Sequence, residues 1–259
     1  MPHCRAAPHT GMPYGVAFCL VIWLLGALVA PAVGRTIALD VGHYLAHPGA
    51  TSARGVPEFV FNQALAGVVQ EALIKHGFGV RMIGSQGDMH DLRARTHAAI
   101  GTDFFLSLHH DSVQPQYLED WLYAGMPRRF SDRFAGFSLF VSRANPHLAL
   151  SLACASQLGT ALRHAGFVPS PHHAEPIPGE NRPFADQTNG VHYFDNLVVL
   201  KTATQPALLL EAGVIVHRAE ELAVQQPARR EAMATAIASA LDVCLRRKPL
   251  AAPAPGDAR

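Results

Sequence analysis

Charge is sparse in this chain: 16% of its 259 residues are Asp, Glu, Lys or Arg, and the formal net charge is +1. Totals this balanced leave no basic excess for a nucleic acid, so no nucleic-acid partner is expected. No segment repeats, which sets aside solenoids and other arrays. Cysteine is scarce as well, with four in all. Cys4 and Cys19 fall in the N-terminal segment; Cys154 and Cys244 lie in apolar, helix-like stretches and are read as two buried thiols. Pairing them is the alternative in an oxidising compartment, but their spacing says nothing about proximity. Hydrophobic residues, by contrast, make up 49% of the chain. That suits a globular protein with a substantial core, of one ordinary-to-large domain or two small ones.

The first residues differ from the rest. Residues 1–14 carry one firm positive charge, Arg5. Residues 15–34 carry none and contain the run VAFCLVIWLLGALVA, followed by Ala30-Pro31-Ala32 and Val33-Gly34. This is the layout of a secretory signal peptide, with cleavage expected after Ala32 or Gly34. The rival is an uncleaved anchor, because the uncharged run nearly reaches membrane-spanning length. Either way the mature domain is expected outside the cytoplasm, in the periplasm or cell envelope, touching a membrane only through this segment. Cys19 follows Phe18, where a lipoprotein signal needs a small residue, so no lipoprotein is expected. The tail at residues 248–259 is rich in Ala and Pro, has no core-forming pattern, and is expected to be disordered.

Between these ends, residues 35–247 alternate strand-like and helix-like stretches. Strands are expected at 36–39, 80–83, 104–108, 137–141, 198–200 and 207–210. Helices are expected at 58–76, 91–100, 148–164 and 227–246. The first helix shows Phe61, Leu65, Val69 and Ala72 at helical spacing and Gly77 as its stop. The alternation predicts one α/β domain: a largely parallel, twisted sheet with helices on both faces.

Four polar residues stand out by position. His43 follows the first strand, His109 ends the run FFLSL, Glu211 ends PALLL, and Glu58 opens the first helix. In an open parallel sheet the carboxyl ends of the strands share one edge, where sites form. Two imidazoles and one carboxylate match a catalytic zinc site that keeps one position open. On that reading His43, Glu58 and His109 bind Zn2+, and Glu211 stays free as a general base. Each residue alone has a bland explanation: the chain has 15 histidines, Glu58 suits any helix N-terminus, and Glu211 could pair with a surface arginine. Their shared placement at strand ends reverses that order. Whether His109 or His110 faces the metal stays open, since strand neighbours point to opposite faces.

At these residues the chain resembles the catalytic domain of the zinc-dependent N-acetylmuramoyl-L-alanine amidases. LDVGHYLAHPGA at 39–50 is similar to that family's LDxGHGGxDPGA. Gly55-Val56-Pro57-Glu58 matches its G-x-x-E. Arg95 followed by Ser107-Leu108-His109-His110-Asp111 matches an Arg-containing helix leading to S-I-H-x-N, and VVLKTATQPALLLEAGV at 198–214 matches its last motif. The resemblance covers about residues 36–246 in order. It implies zinc ligands at His43, Glu58 and His109, so His109 rather than His110, and a catalytic carboxylate at Glu211. It also implies hydrolysis of the amide between N-acetylmuramic acid and L-alanine in peptidoglycan, and leaves room for a protein activator. The alternatives are a zinc peptidase acting elsewhere in the stem peptide and a silent peptidoglycan binder.

The chain departs from the family's pattern in four places. Tyr44-Leu45 replaces a glycine pair, and Asp111 replaces an asparagine. The connection at 114–136, with Tyr117, Trp121 and Tyr123, is long; it is read as a packed surface insertion, or as a wall or lid of the substrate cleft. The loop at 169–190 contains His172, His173, Glu175, Glu180, Asn181 and Arg182. Loops of this length are uncommon unless functional or disordered. Glu180 and Arg182 are its candidate substrate contacts; an inhibitory cover over the zinc or a solvated surface loop are the other readings.

Overall fold

A computed structural model describes residues 34–246. The expected signal peptide and disordered tail lie outside the described residues. The chain runs β1 (Thr36–Val41), α1 (Glu58–Lys75), β2 (Gly79–Ile83), α2 (Leu92–Ala98), β3 (Phe104–Asp111), β4 (Glu119–Tyr123), β5 (Met126–Phe130) and β6 (Ser138–Val141). It continues through α3 (Leu148–His164), β7 (Phe184–Asp186), β8 (Val191–Tyr193), α4 (Val198–Thr202), β9 (Ala207–Val214), α5 (Arg218–Val224) and α6 (Pro227–Arg246). Among the described residues no helix is long and apolar enough to cross a membrane.

Seven strands form one sheet in the order β2-β1-β3-β9-β6-β8-β7. The β1–β2, β1–β3, β3–β9 and β6–β8 pairs are parallel; β6–β9 and β7–β8 are antiparallel. The largely parallel α/β domain expected from the alternation is therefore present. Side-chain alternation along the strands splits the core in two. Ile37, Leu39, Leu106, Leu108, Leu208 and Leu210 pack with α1, α3 and α6 on one face. Ala38, Phe105, Phe140 and Leu209 pack on the other with Val199 and Leu200 of α4. Strands buried on both faces read as unbroken apolar runs, which is why FFLSL and PALLL carry no polar alternation.

The structure corrects three expectations. Residues 198–200 form the start of helix α4, not a strand. A short Val/Leu run has β propensity but cannot be told from a buried helical turn by pattern alone. Here the Leu200 and Lys201 N–H groups donate to the Leu197 carbonyl, and Thr202 Oγ1 donates to the Val198 carbonyl. The connection after β3, in which no strand is expected, holds the β4–β5 hairpin. Its turn residues Ala124 and Gly125 both have positive φ, 51° and 78°, as a two-residue primed turn requires, but Ala-Gly is not the usual sequence signal. Finally, Cys154 and Cys244 are a disulfide rather than free thiols, joining α3 to α6 with Cα atoms 5.2 Å apart across 90 residues of sequence.

Candidate metal centre

β1 and β3 end side by side, and the chain leaves β1 through Gly42 into His43. A Cβ on Gly42 would lie 2.3 Å from His109 Nε2, so only glycine lets the two strand ends approach this closely. His43 itself takes φ 67°, a costly conformation for a non-glycine residue that the surrounding structure must enforce. Arg95 enforces it. The guanidinium donates to Asp40 Oδ1 at 2.7 Å, to the Val41 carbonyl at 2.6 Å, to the Met89 carbonyl at 2.7 Å and to the His43 carbonyl. Ser107 Oγ holds the other oxygen of Asp40 at 2.7 Å. Arg95 and Asp40 are both fully buried, so this pair fixes the end of β1 from beneath.

Glu58 is the first residue of α1, and its backbone N–H donates to the Ala50 carbonyl at 2.8 Å. That bond closes the 50–57 loop and aims the carboxylate back at the strand ends. Glu58 Oε2 sits 3.0 Å from His43 Nε2, and Oε1 sits 3.0 Å from His109 Nδ1. The two imidazole rings meet edge to face with centroids 4.8 Å apart. Asn62, one turn along α1, donates to Glu58 Oε1 at 3.1 Å, and the His110 and Ala50 N–H groups donate to the carboxylate as well. Burial opposes ionisation of Glu58, but the hydrogen bonds to His109 and His43 and their charge outweigh it and hold its carboxyl well below the usual range.

One donor atom from each of His43, Glu58 and His109 lies within 4.8 Å of the others. Two nitrogens and one carboxylate oxygen suit a divalent transition metal such as zinc rather than calcium or magnesium, which take oxygen ligands. A Cβ on Gly49 would stand 2.3 Å from Glu58 Oε2 and 2.6 Å from the His43 ring; glycine here keeps the pocket clear. The residues present therefore fit such an ion. His110 faces the opposite side of β3: its Nδ1 meets Asn62 Oδ1 at 2.8 Å, and burial pushes its pKa down to about 4.

Glu211 is the direct register partner of His109 on the neighbouring parallel strand β9, so their side chains emerge from the same face of the sheet. Glu211 Oε2 is buried with no hydrogen-bond partner. Burial and the negative charges of Asp111 and Glu58 raise its pKa well above the ordinary value, against a smaller opposing effect of Arg182. Glu211 opens onto a cleft of roughly 270 Å³ that is also lined by Asp111, Phe140, His173, Glu180 and Arg182.

Glu180 and Arg182 thus reach the cleft that Glu211 borders, but both are engaged. Glu180 Oε2 accepts from Arg182 Nη1 and meets His173 Nδ1 at 2.8 Å, while Gln114 Nε2 donates to Oε1 at 2.8 Å. The Arg182 guanidinium stacks 4.2 Å over the Phe194 ring. His173 also meets Asp111 Oδ2 at 2.7 Å. Burial disfavours charge on His173, but Asp111 and Glu180 overcome it and push its pKa up to about 9.

Sequence reasoning missed Asn62 and the buried role of Arg95. The i, i+4 spacing from Glu58 to Asn62 was a usable signal for the first. Arg95 was visible as part of a motif, but its pairing with Asp40 was not, because the two are 55 residues apart.

Fold and site together define a class: a single α/β domain with a compact His-Glu-His cluster that fits a metal ion at the carboxyl edge of its sheet and a free carboxylate one strand away. Within that class the chain belongs to the N-acetylmuramoyl-L-alanine amidase family, whose model matches residues 37–243. Among solved structures it is similar to the N-acetylmuramyl-L-alanine amidase Ami1 from Mycobacterium smegmatis, at 19% identity and a TM-score of 0.64, covering 82% of this chain and 97% of that one. It is similar also to the catalytic domain of the amidase CwlV from Bacillus (Paenibacillus) polymyxa var. colistinus, at 22% identity and a TM-score of 0.61, covering 82% and 98%. A third likeness is to the CwlD amidase from Clostridioides difficile, solved in complex with the GerS lipoprotein, at 17% identity and a TM-score of 0.58, covering 82% and 98%. At these identities the likeness concerns the fold. No curated protein matches the chain in sequence.

Proposed function

We propose that this protein is a zinc-dependent N-acetylmuramoyl-L-alanine amidase that hydrolyses the amide between the lactyl group of N-acetylmuramic acid and the L-alanine of the peptide stem. The observation that carries the reading is the convergence of His43, Glu58 and His109 within 4.8 Å, beside an unpartnered carboxylate at Glu211, in a chain of this family. His43, Glu58 and His109 would hold the zinc. When bound, zinc supplies Lewis acidity that activates water and polarises an amide carbonyl.

The chain's own residues do the rest. Glu211 takes a proton from the attacking water and delivers one to the departing L-alanine nitrogen. Burial and the charges of Asp111 and Glu58 raise its pKa, a direction that makes the carboxylate a stronger proton acceptor than an exposed one. Asn62 orients the Glu58 carboxylate through its amide, and Arg95 keeps His43 in its left-handed conformation. Glu180 and Arg182 stand at the cleft as contacts for the polar groups of the sugar or stem.

Two further elements belong to the reading. The protein is exported to the periplasm or cell envelope, which the Cys154–Cys244 disulfide supports because such bonds persist in oxidising compartments. A protein activator fits as well; the Clostridioides difficile amidase CwlD was solved bound to a lipoprotein. The test is digestion of purified sacculi with and without a chelator, followed by mass spectrometry. An intact stem with a free L-alanine amino group, formed only without chelator, is the expected product. Cleavage at another amide, or chelator-resistant cleavage, contradicts the reading.

A further inference from the structure

A second group of metal-type donors lies outside the His43–Glu58–His109 pocket and shares no residue with it. Asp111 ends β3, and His172 and His173 sit on a single 3-10 turn, His172–Ala174, within the long loop after α3. One donor atom from each of the three lies within 4.8 Å of the others. Both histidine rings present Nε2 to the same oxygen, Asp111 Oδ2, at 3.2 Å from His172 and 2.7 Å from His173. Asp111 Oδ1 is turned away and accepts the Ser112 N–H at 2.8 Å.

The outer contacts have the form that metal-binding histidines need. Such a ring engages a hydrogen-bond partner through its second nitrogen, which fixes its tautomer and orientation. His172 Nδ1 meets Ser170 Oγ at 2.8 Å, and His173 Nδ1 meets Glu180 Oε2 at 2.8 Å. Glu180 is in turn held by Gln114 and Arg182. A further observation points to a ligand. His172 is 1% exposed, yet its Nε2 is buried with no properly directed hydrogen bond, although it lies beside Asp111. Buried polar atoms without partners are rare in native proteins and call for an ion or water.

We infer that Asp111, His172 and His173 form a second site for a divalent transition metal of the zinc class. Two imidazole nitrogens and one carboxylate oxygen are donors that zinc accepts and that calcium and magnesium do not favour. Zinc bonds of about 2.0–2.2 Å place tetrahedral donors roughly 3.3–3.5 Å apart. His172, at 3.2 Å from Asp111 Oδ2, is within about 0.1 Å of that spacing, and His173, at 2.7 Å, needs to withdraw by well under ~1 Å. Access comes from the cleft, which Asp111 and His173 both line. An ion here ties the loop carrying Glu180 and Arg182 to the end of β3, at the wall of the cleft that Glu211 borders. The inference does not depend on which amide the protein cuts.

The test is zinc stoichiometry by elemental analysis, after chelator stripping of the full chain and equilibrium dialysis against zinc. The wild-type chain is expected to hold two ions, with one each in His43→Ala and His172→Gln and none in the double variant. One ion in the wild-type chain that His172→Gln keeps, or two ions retained in His172→Gln, overturns the second site. One ion that His172→Gln loses and His43→Ala keeps leaves this site standing and removes the metal from the first pocket instead. A measurement that starts without substitution guards against misfolding of the variants. Cobalt(II) titration of the stripped wild-type chain, followed by visible absorbance, should break at two equivalents; a single break at one equivalent that His172→Gln leaves unchanged overturns the inference.

Discussion

The molecule holds two His-carboxylate clusters along one edge of the sheet, and they are built differently. The first draws His43, Glu58 and His109 from a strand end, a helix start and a second strand end, each locked by backbone or buried partners. The second draws one residue, Asp111, from a strand and both histidines from a single turn in a loop. The supports of the first, Asn62, Arg95 and Asp40, are buried in the core. The second depends on Ser170, Gln114, Glu180 and Arg182 holding a loop in place. The contrast predicts that damage to the first cluster abolishes chemistry, whereas damage to supporting elements elsewhere costs stability.

The largest effects should separate these roles most sharply. His43→Ala should lose the ion of the first pocket and with it essentially all hydrolysis of sacculi, read by zinc analysis and product release. Persistent hydrolysis would erase the distinction between the two clusters. Next comes Arg95→Ala, which leaves Asp40 buried without its cation. Removing one partner of a buried pair costs about 3–5 kcal/mol, so denaturant unfolding should show a loss of that order, with reduced activity as His43 relaxes from its left-handed conformation. A loss under ~1 kcal/mol would mean that the pair acts like an exposed one.

A smaller effect is expected at the disulfide. Cys154→Ala with Cys244→Ala should cost about 2–4 kcal/mol, since the bond closes a long loop of the unfolded chain. Reduction of the wild-type protein should lower its thermal midpoint in the same way, and indifference to reductant would contradict the pairing. The smallest expected effect is at His110. Its ring faces α1 rather than the pocket, so His110→Gln should keep the zinc content of the wild-type chain. Loss of an ion in that variant would place the wrong neighbour at the metal.

How much of this was legible in the sequence follows the same division. Strand-end residues stood out, because His109 and Glu211 each close an apolar run of the length and composition that a doubly buried strand has. Glu58 was legible as the first residue of a periodic helix. The sheet register that pairs His109 with Glu211 is a tertiary fact, and the sequence supplied only its plausibility. The hairpin at 119–130 was illegible because its strands are mostly exposed and lack an apolar face. The helix at Val198–Thr202 was misread because five residues are too few for either periodicity to declare itself. The disulfide was misread because 90 residues separate two cysteines whose helices meet only in the folded chain. The histidines of the long loop were visible as residues, but nothing in their spacing placed them against Asp111.

The proposed chemistry divides the labour: three side chains would bind zinc, and Glu211 would bind none but move protons. Glu211→Ala tests it directly, by measuring zinc content and sacculus hydrolysis on the same purified sample. Zinc equal to the wild-type chain, with hydrolysis reduced by about 10²–10⁴-fold or more, is the predicted result. Retained hydrolysis, or loss of zinc in a folded Glu211→Ala protein, would contradict it.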